Sequence, residues 1–150
     1  MRFVIQRVSE ASVKIDGSIY SEIQKGFLVL VGIEEADTKE DADWLCQKLI
    51  GMRIFSDADD KLNLSLQDVG GDVLLVSQFT LFASTKKGNR PSFIKSAKPD
   101  IAITLYEYCI QQLTSLLNNS IKTGQFGADM KVSLINDGPV TILMDSKSKE

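Results

Sequence analysis

The run Gly26-Phe27-Leu28-Val29-Leu30-Val31-Gly32-Ile33 is continuous in aliphatic, β-branched and aromatic residues, and short enough for a strand buried on both faces. A second run opens as Asp72-Val73-Leu74-Leu75-Val76 and turns polar halfway, through Ser77-Gln78-Phe79-Thr80-Leu81-Phe82. Two such strands need a core that covers them. The 150 residues suffice, because a chain of this length hides about two thirds of its unfolded surface on folding. It therefore needs neither a disulfide nor a structural metal, and residues 1–150 read as one domain.

Strands outnumber helices around these runs. Arg2 to Val8, Ala11 to Ile15 and Ser18 to Ile23 read as strands, the last two flanking Asp16-Gly17. That dipeptide is a strong hairpin signal, since a type I′ turn needs positive φ at both centres. A helix follows Asp37 or Thr38, with Glu40 or Asp41 three residues on as capping partner. Its apolar face carries Ala42, Leu45, Cys46, Leu49 and Ile50. Arg53 to Asp57 reads as a short strand, and Asp57 to Asp60 as a turn. A second helix begins at Pro99, where Ile101, Leu105, Tyr108, Cys109, Gln112, Leu113 and Leu116 recur at helical spacing. Met130 to Ile135 and Val140 to Met144 read as two strands around Asn136-Asp137-Gly138-Pro139, and the tail Ser146 to Glu150 is expected to fray. Strands and helices do not alternate, which argues for an α+β fold. The expectation is antiparallel and mixed sheets forming a barrel-like core, with two main helices packed on it.

The chain contains no histidine. That removes every Ser-His-Asp and Cys-His arrangement, every His-ligated metal site and the usual general base near neutral pH. Cys46 and Cys109 fall on the apolar stripes of the two helices and read as small buried hydrophobes. Asp57, Asp59 and Asp60 lack the loop spacing of a calcium site, so no metal or cofactor is expected. No stretch approaches the ~18 apolar residues of a membrane span, and Met1 to Arg7 is too polar for a signal peptide. These features suggest a soluble, cytoplasmic protein. Net charge is −3 with a pI near 5.0, so a nucleic-acid partner would require a local basic patch.

Three places break the local rules. Ser77-Gln78-Phe79-Thr80 puts polar side chains into an apolar strand, where each either joins a satisfied network or faces a cavity. Lys86-Lys87-Gly88-Asn89-Arg90-Pro91-Ser92-Phe93-Ile94-Lys95 is a basic loop with one ring. It is either a solvated turn or a surface for phosphates and a stacked base. Gly138-Pro139 lies between two strands, as an ordinary turn or as a cis bond that redirects carbonyls.

At these places the chain resembles the D-aminoacyl-tRNA deacylase family. Its Ser-Gln-Phe-Thr-Leu motif reads here as Ser77-Gln78-Phe79-Thr80-Leu81, and its Asn-x-Gly-Pro-x-Thr motif as Asn136-Asp137-Gly138-Pro139-Val140-Thr141. Lys87 to Phe93, Phe126 to Met130 and the opening Met1 to Val8 also look like the family, and the likeness runs to about Asp145. The resemblance implies hydrolysis of the ester joining a D-amino acid, or glycine mischarged on alanine tRNA, to the terminal ribose. It implies a homodimer with active sites at the interface, where a cis Gly138-Pro139 from one subunit completes the partner's pocket and Arg7 helps hold that motif. Ser77, Gln78, Phe79 and Thr80 would be catalytic, and Gly138, Pro139, Arg7 and Met130 would bind substrate. Lys86, Lys87, Arg90 and Phe93 would meet the aminoacyl-tRNA acceptor end, with no DNA partner expected.

A hydrolase without histidine needs another source of rate. An aminoacyl ester is activated by its own α-ammonium and the neighbouring ribose hydroxyl. One oxyanion-hole donor contributes about 2.7–4 kcal/mol, and backbone N–H groups near Phe79 and Thr80 are candidates. Attack by water, helped by the 2′-hydroxyl, is favoured over Thr80 as a nucleophile, because nothing in the sequence deprotonates that hydroxyl. Two other readings are an RNA-binding module without chemistry and a deacylase of relaxed chirality with a trans Gly-Pro bond.

Overall fold

The computed structural model describes residues 1–150. Its elements in order are β1 (Arg2–Ile15), β2 (Ser18–Ile23), β3 (Gly26–Gly32), α1 (Lys39–Gly51), β4 (Phe55–Ser56), β5 (Leu62–Leu64) and β6 (Asp72–Ser77). A 3-10 turn (Phe79–Phe82), α2 (Pro99–Leu117), β7 (Lys122–Thr123) and β8 (Lys131–Asp145) complete the chain.

The hairpin at Asp16-Gly17 forms with φ of 51° and 79°, as the dipeptide predicts. The strands expected at Arg2 and Ala11 are one strand. β1 pairs β3 through Arg2 to Val8, β2 through Ala11 to Ile15, and β8 along its other edge, all antiparallel. β6 joins β3 in parallel, giving the order β2-β1-β3-β6-β7 with β8 on the free side of β1. The ends of this order meet again: β2 lies against β6 and β7, and the Ser21 hydroxyl donates to the Thr123 carbonyl at 2.6 Å. The mixed sheet is thus nearly closed into a barrel. Gly26 is required where β3 starts, because a Cβ there would collide with the Asp72 backbone.

Both helices cover one face. Ala42, Leu45, Cys46, Leu49 and Ile50 of α1 are buried against Leu105, Cys109 and Leu113 of α2, and the core continues to Phe27 and Phe55, stacked at 5.1 Å. The two cysteines are free and buried in this layer. On α2 the buried tyrosine is Tyr106, not Tyr108, and Leu116 is exposed. The other face encloses a smaller cluster that includes Val8, Val13, Leu28, Leu74 and Val76. The acidic stretch at Asp57 is a turn: its carboxylate accepts from the Asp59 and Lys61 N–H groups at 2.9 and 3.0 Å.

Three further expectations are corrected. The polar half of the second run is not strand: β6 ends at Ser77 and the chain tightens into the 3-10 turn. Met130 to Ile135 and Val140 to Met144 are not two strands about a reversal. They are collinear parts of β8, and residues 137–140 bulge out opposite Arg7 while pairing with β1 resumes on both sides. The tail is docked rather than frayed. Ser146 is buried, its N–H donates to the Met1 carbonyl, and Lys147 Nζ pairs with Asp41 at 2.8 Å.

Candidate active site

Where β3 and β6 end side by side, the sheet opens into a cleft of about 600 Å³. The Gln78 N–H still donates to the Val31 carbonyl at 2.7 Å, but the chain then leaves the sheet. It can do so because Gly32 has no side chain: a Cβ there would stand 2.8 Å from that of Leu81. Ser77, Gln78 and Phe79 therefore line one wall. Phe93 packs edge-on against Phe79 with ring centroids 5.1 Å apart, and the Ser96 hydroxyl donates to the Phe79 carbonyl at 2.9 Å. Phe126 and Met130 also line the cleft. Gly124 leaves room for Met130, since a Cβ at that residue would sit 2.5 Å from the sulfur.

Behind the wall, Tyr106 donates to the Leu75 carbonyl at 2.6 Å, and its ring leans on Phe126 at 6.1 Å. Burial pushes the Tyr106 phenol well up from its ordinary value, so it remains a donor. Neither of these two supports is legible in the sequence. Tyr106 and Ser96 sit in segments without an unusual pattern, and their partners are 31 and 17 residues away in the chain.

Among the lining residues the one ionisable side chain is Asp129, and Lys131 already binds both its oxygens at 3.0 Å. Thr80 lies just beyond the lining, half-buried, with its hydroxyl accepting from the Gln78 amide. That amide cannot take a proton from it, so the cleft contains no general base for a hydroxyl nucleophile. A single, already paired carboxylate is also a poor donor set for a metal.

The other sequence candidates lie elsewhere. Arg7, buried in β1, donates from Nε to the Asp137 carbonyl at 2.9 Å and from Nη1 to the Ile54 carbonyl at 2.8 Å. Asn136 closes the base of the bulge: it accepts from the Val140 N–H at 2.8 Å and donates to the Thr141 hydroxyl at 2.9 Å. Gly138 and Pro139 are exposed at its tip, and the bond between them is cis. Neither lines the cleft of its own chain. The extended span from Val132, in the cleft, to Asn136 alone covers roughly 13 Å. Lys86, Lys87 and Arg90 are exposed on a loop closed by paired Ser84 and Ser92 hydrogen bonds of 2.8 and 2.9 Å. Phe93, at the end of that loop, belongs to the cleft wall.

A family model described as D-Tyr-tRNA(Tyr) deacylase matches residues 4–145. The chain is 63% identical over 150 residues to a D-aminoacyl-tRNA deacylase of Flavobacterium johnsoniae, covering 100% of both chains. It is 61% identical, with the same coverage, to one of Akkermansia muciniphila. Among solved structures, one named c-Myc DNA Unwinding Element Binding Protein superposes with a TM-score of 0.90 at 38% identity, over 97% of this chain and 98% of that one. Another, a probable eukaryotic D-amino acid tRNA deacylase, gives a TM-score of 0.79 at 18% identity over 95% and 97%, and speaks for the fold alone.

Proposed function

The chain belongs to the D-Tyr-tRNA(Tyr) deacylase family and is a D-aminoacyl-tRNA hydrolase, and on that premise we propose a water-based, RNA-assisted mechanism in a site shared by two subunits. The observation that carries it is the make-up of the cleft: of its 17 lining residues, only Asp129 is ionisable. With no side-chain base, rate must come from positioning and from preorganised donors. The first N–H groups of a helical turn have no partner within it, so those of Phe79 and Thr80 are the candidates for the ester's developing oxyanion. Water attacks, and the 2′-hydroxyl of the terminal ribose assists. Phe79, Phe93 and Met130 offer apolar surfaces for the terminal base, and the exposed cations of the 86–90 loop suit the phosphates behind it.

Chirality is read by exclusion. Apolar fit alone separates close analogues by only about 1–3 kcal/mol. A fixed carbonyl in the Gly138-Pro139 bulge, braced by Arg7 and Asn136, would accept from the α-ammonium and leave an L side chain no room. Glycine, including glycine mischarged on alanine tRNA, would pass. Because the bulge is remote from its own cleft, it would enter that of a second copy. Support for the dimer comes from β8, whose outer edge is unpaired and whose Ile135 and Leu143 are 54% and 65% exposed. A tRNA substrate supports a cytoplasmic location.

One observation favours a second reading, a nucleic-acid-binding module without chemistry: the name borne by the 38% identical structure. Incubation with D-tyrosyl-tRNA and L-tyrosyl-tRNA, alongside sedimentation, separates the two. The expected result is a dimer that releases only the D-amino acid. Binding of both without turnover overturns the hydrolase mechanism, and a fully active monomer overturns the shared site.

A further inference from the structure

β1 and β8 bring two lysines face to face. Lys14 and Lys131 are directly opposed in the antiparallel ladder, and both are exposed. Directly opposed residues project to the same face with Cβ atoms about 5 Å apart, and like charges there are unfavourable. Lys131 is held by Asp129, but no carboxylate lies within ion-pair distance of Lys14. The pair therefore carries an uncompensated positive charge.

Its position gives that charge a use. Asp129 and Met130 line the cleft, so the Lys131 ammonium, 3.0 Å from Asp129, stands at the rim. The 86–90 loop reaches the cleft through a different lining residue, Phe93. On β2, Val13 pairs with Ser21 and Lys14 with Ile19, leaving Tyr20 as the extra residue of a β-bulge, its side chain 51% exposed. A bulge re-aims a side chain, and here an aromatic ring is offered to solvent beside a free lysine. A ring next to an uncompensated cation suits a nucleic-acid strand, which supplies a phosphate for the charge and a base for the ring.

We infer that Lys14, Lys131 and Tyr20 form a second RNA-binding surface, separate from the 86–90 loop, which grips acceptor-stem phosphates beside Asp129 and Met130 of the cleft. This rests on the deacylase reading for the identity of the RNA. An anion between the lysines would relieve their repulsion, so the site is stabilised by its ligand.

The test uses the full chain with Lys14→Ala and Lys131→Ala combined, and Tyr20→Leu separately. Affinity for uncharged tRNA is measured against salt. Deacylation is followed on D-tyrosyl-tRNA and on D-tyrosyl-adenosine, a short ester without an acceptor stem. The lysine variant is expected to bind tRNA about tenfold more weakly at low salt, with a log–log salt slope shallower by about 1 to 2, a full unit for Lys14 and less for Lys131, which exchanges Asp129 for a phosphate. For Lys14→Ala alone, which leaves the Lys131–Asp129 pair in place, KM for D-tyrosyl-tRNA should rise while kcat holds, and the short ester should be turned over as by the unaltered chain. Tyr20→Leu should weaken binding without changing the slope, and Asp129→Asn, which frees Lys131, should tighten it. An unchanged slope in the lysine variant, an equal loss on the short ester, or a shift to monomer in sedimentation overturns the proposal. If the unaltered chain hydrolyses neither ester yet shows these slopes, the deacylase reading fails and the RNA surface stands.

Discussion

Arg7 Nε donates to the Asp137 carbonyl at 2.9 Å, tying the buried middle of β1 to the exposed bulge of β8. The next residue, Gly138, has φ of +135°, and a Cβ there would stand 2.8 Å from Val140 Cγ2 and 3.0 Å from Arg7 Nη2. The bulge therefore has its shape because one guanidinium and one missing side chain share a small space.

Gly138→Ala should displace that guanidinium and cost about 1–3 kcal/mol of stability, the usual range for a side chain forced into a sparsely populated backbone region. Urea unfolding gives the stability, and initial rates on D-tyrosyl-tRNA give the activity. Deacylation is expected to fall far more than the folded fraction does. Full activity in the variant would remove the bulge from the site.

Thr80→Ala divides the mechanisms. Its backbone N–H survives the substitution, and its hydroxyl has the Gln78 amide rather than a base as partner. Substantial turnover should therefore remain, while a substrate lacking the terminal 2′-hydroxyl should be strongly impaired. The reverse pattern would make Thr80 a covalent nucleophile.

Changing Lys86, Lys87 and Arg90 to alanine should weaken tRNA binding and flatten its salt dependence, by about 1 in slope for each phosphate no longer neutralised. The loop closure rests on Ser84 and Ser92 backbone groups, so the substitutions leave it intact. Equal affinity at low salt would reduce the loop to a solvated turn.

Stability should fall on acidification from about pH 4 downward. Burial raises the Asp41 carboxyl, but hydrogen bonds from Lys147, the Thr38 N–H and Ser146 outweigh it and hold the group well below the usual carboxylate range. A depressed folded value means that the stabilisation is complete above the unfolded value and disappears as pH drops through the folded one. Asp41→Asn should flatten this acid limb in thermal melts. It should cost about 1.5 kcal/mol at neutral pH, the low end for a charged hydrogen bond, because Lys147 is 43% exposed. An unaltered acid limb would assign the pH dependence to other carboxylates.

Local chemistry is written in the sequence. Asp16-Gly17 specifies its own turn, the spacing of Ala42, Leu45, Cys46 and Leu49 specifies the buried face of α1, and the absence of histidine excludes whole classes of mechanism. The three polar residues among Ser77 to Thr80 point to the candidate site, although their place at the end of an apolar run reads as strand. What the sequence does not carry is pairing between distant segments. Asn136 to Pro139 has the composition of a reversal, and only β1, which accepts β8 on both sides of it, makes it a bulge. The cleft likewise exists because residues 77–79, 93–102 and 126–132 converge at the open end of a nearly closed sheet. A turn is decided by the φ preferences of two adjacent residues. A cleft is decided by which strand edges find one another, and that free energy belongs to pairings between segments, in which no single segment has a pattern of its own.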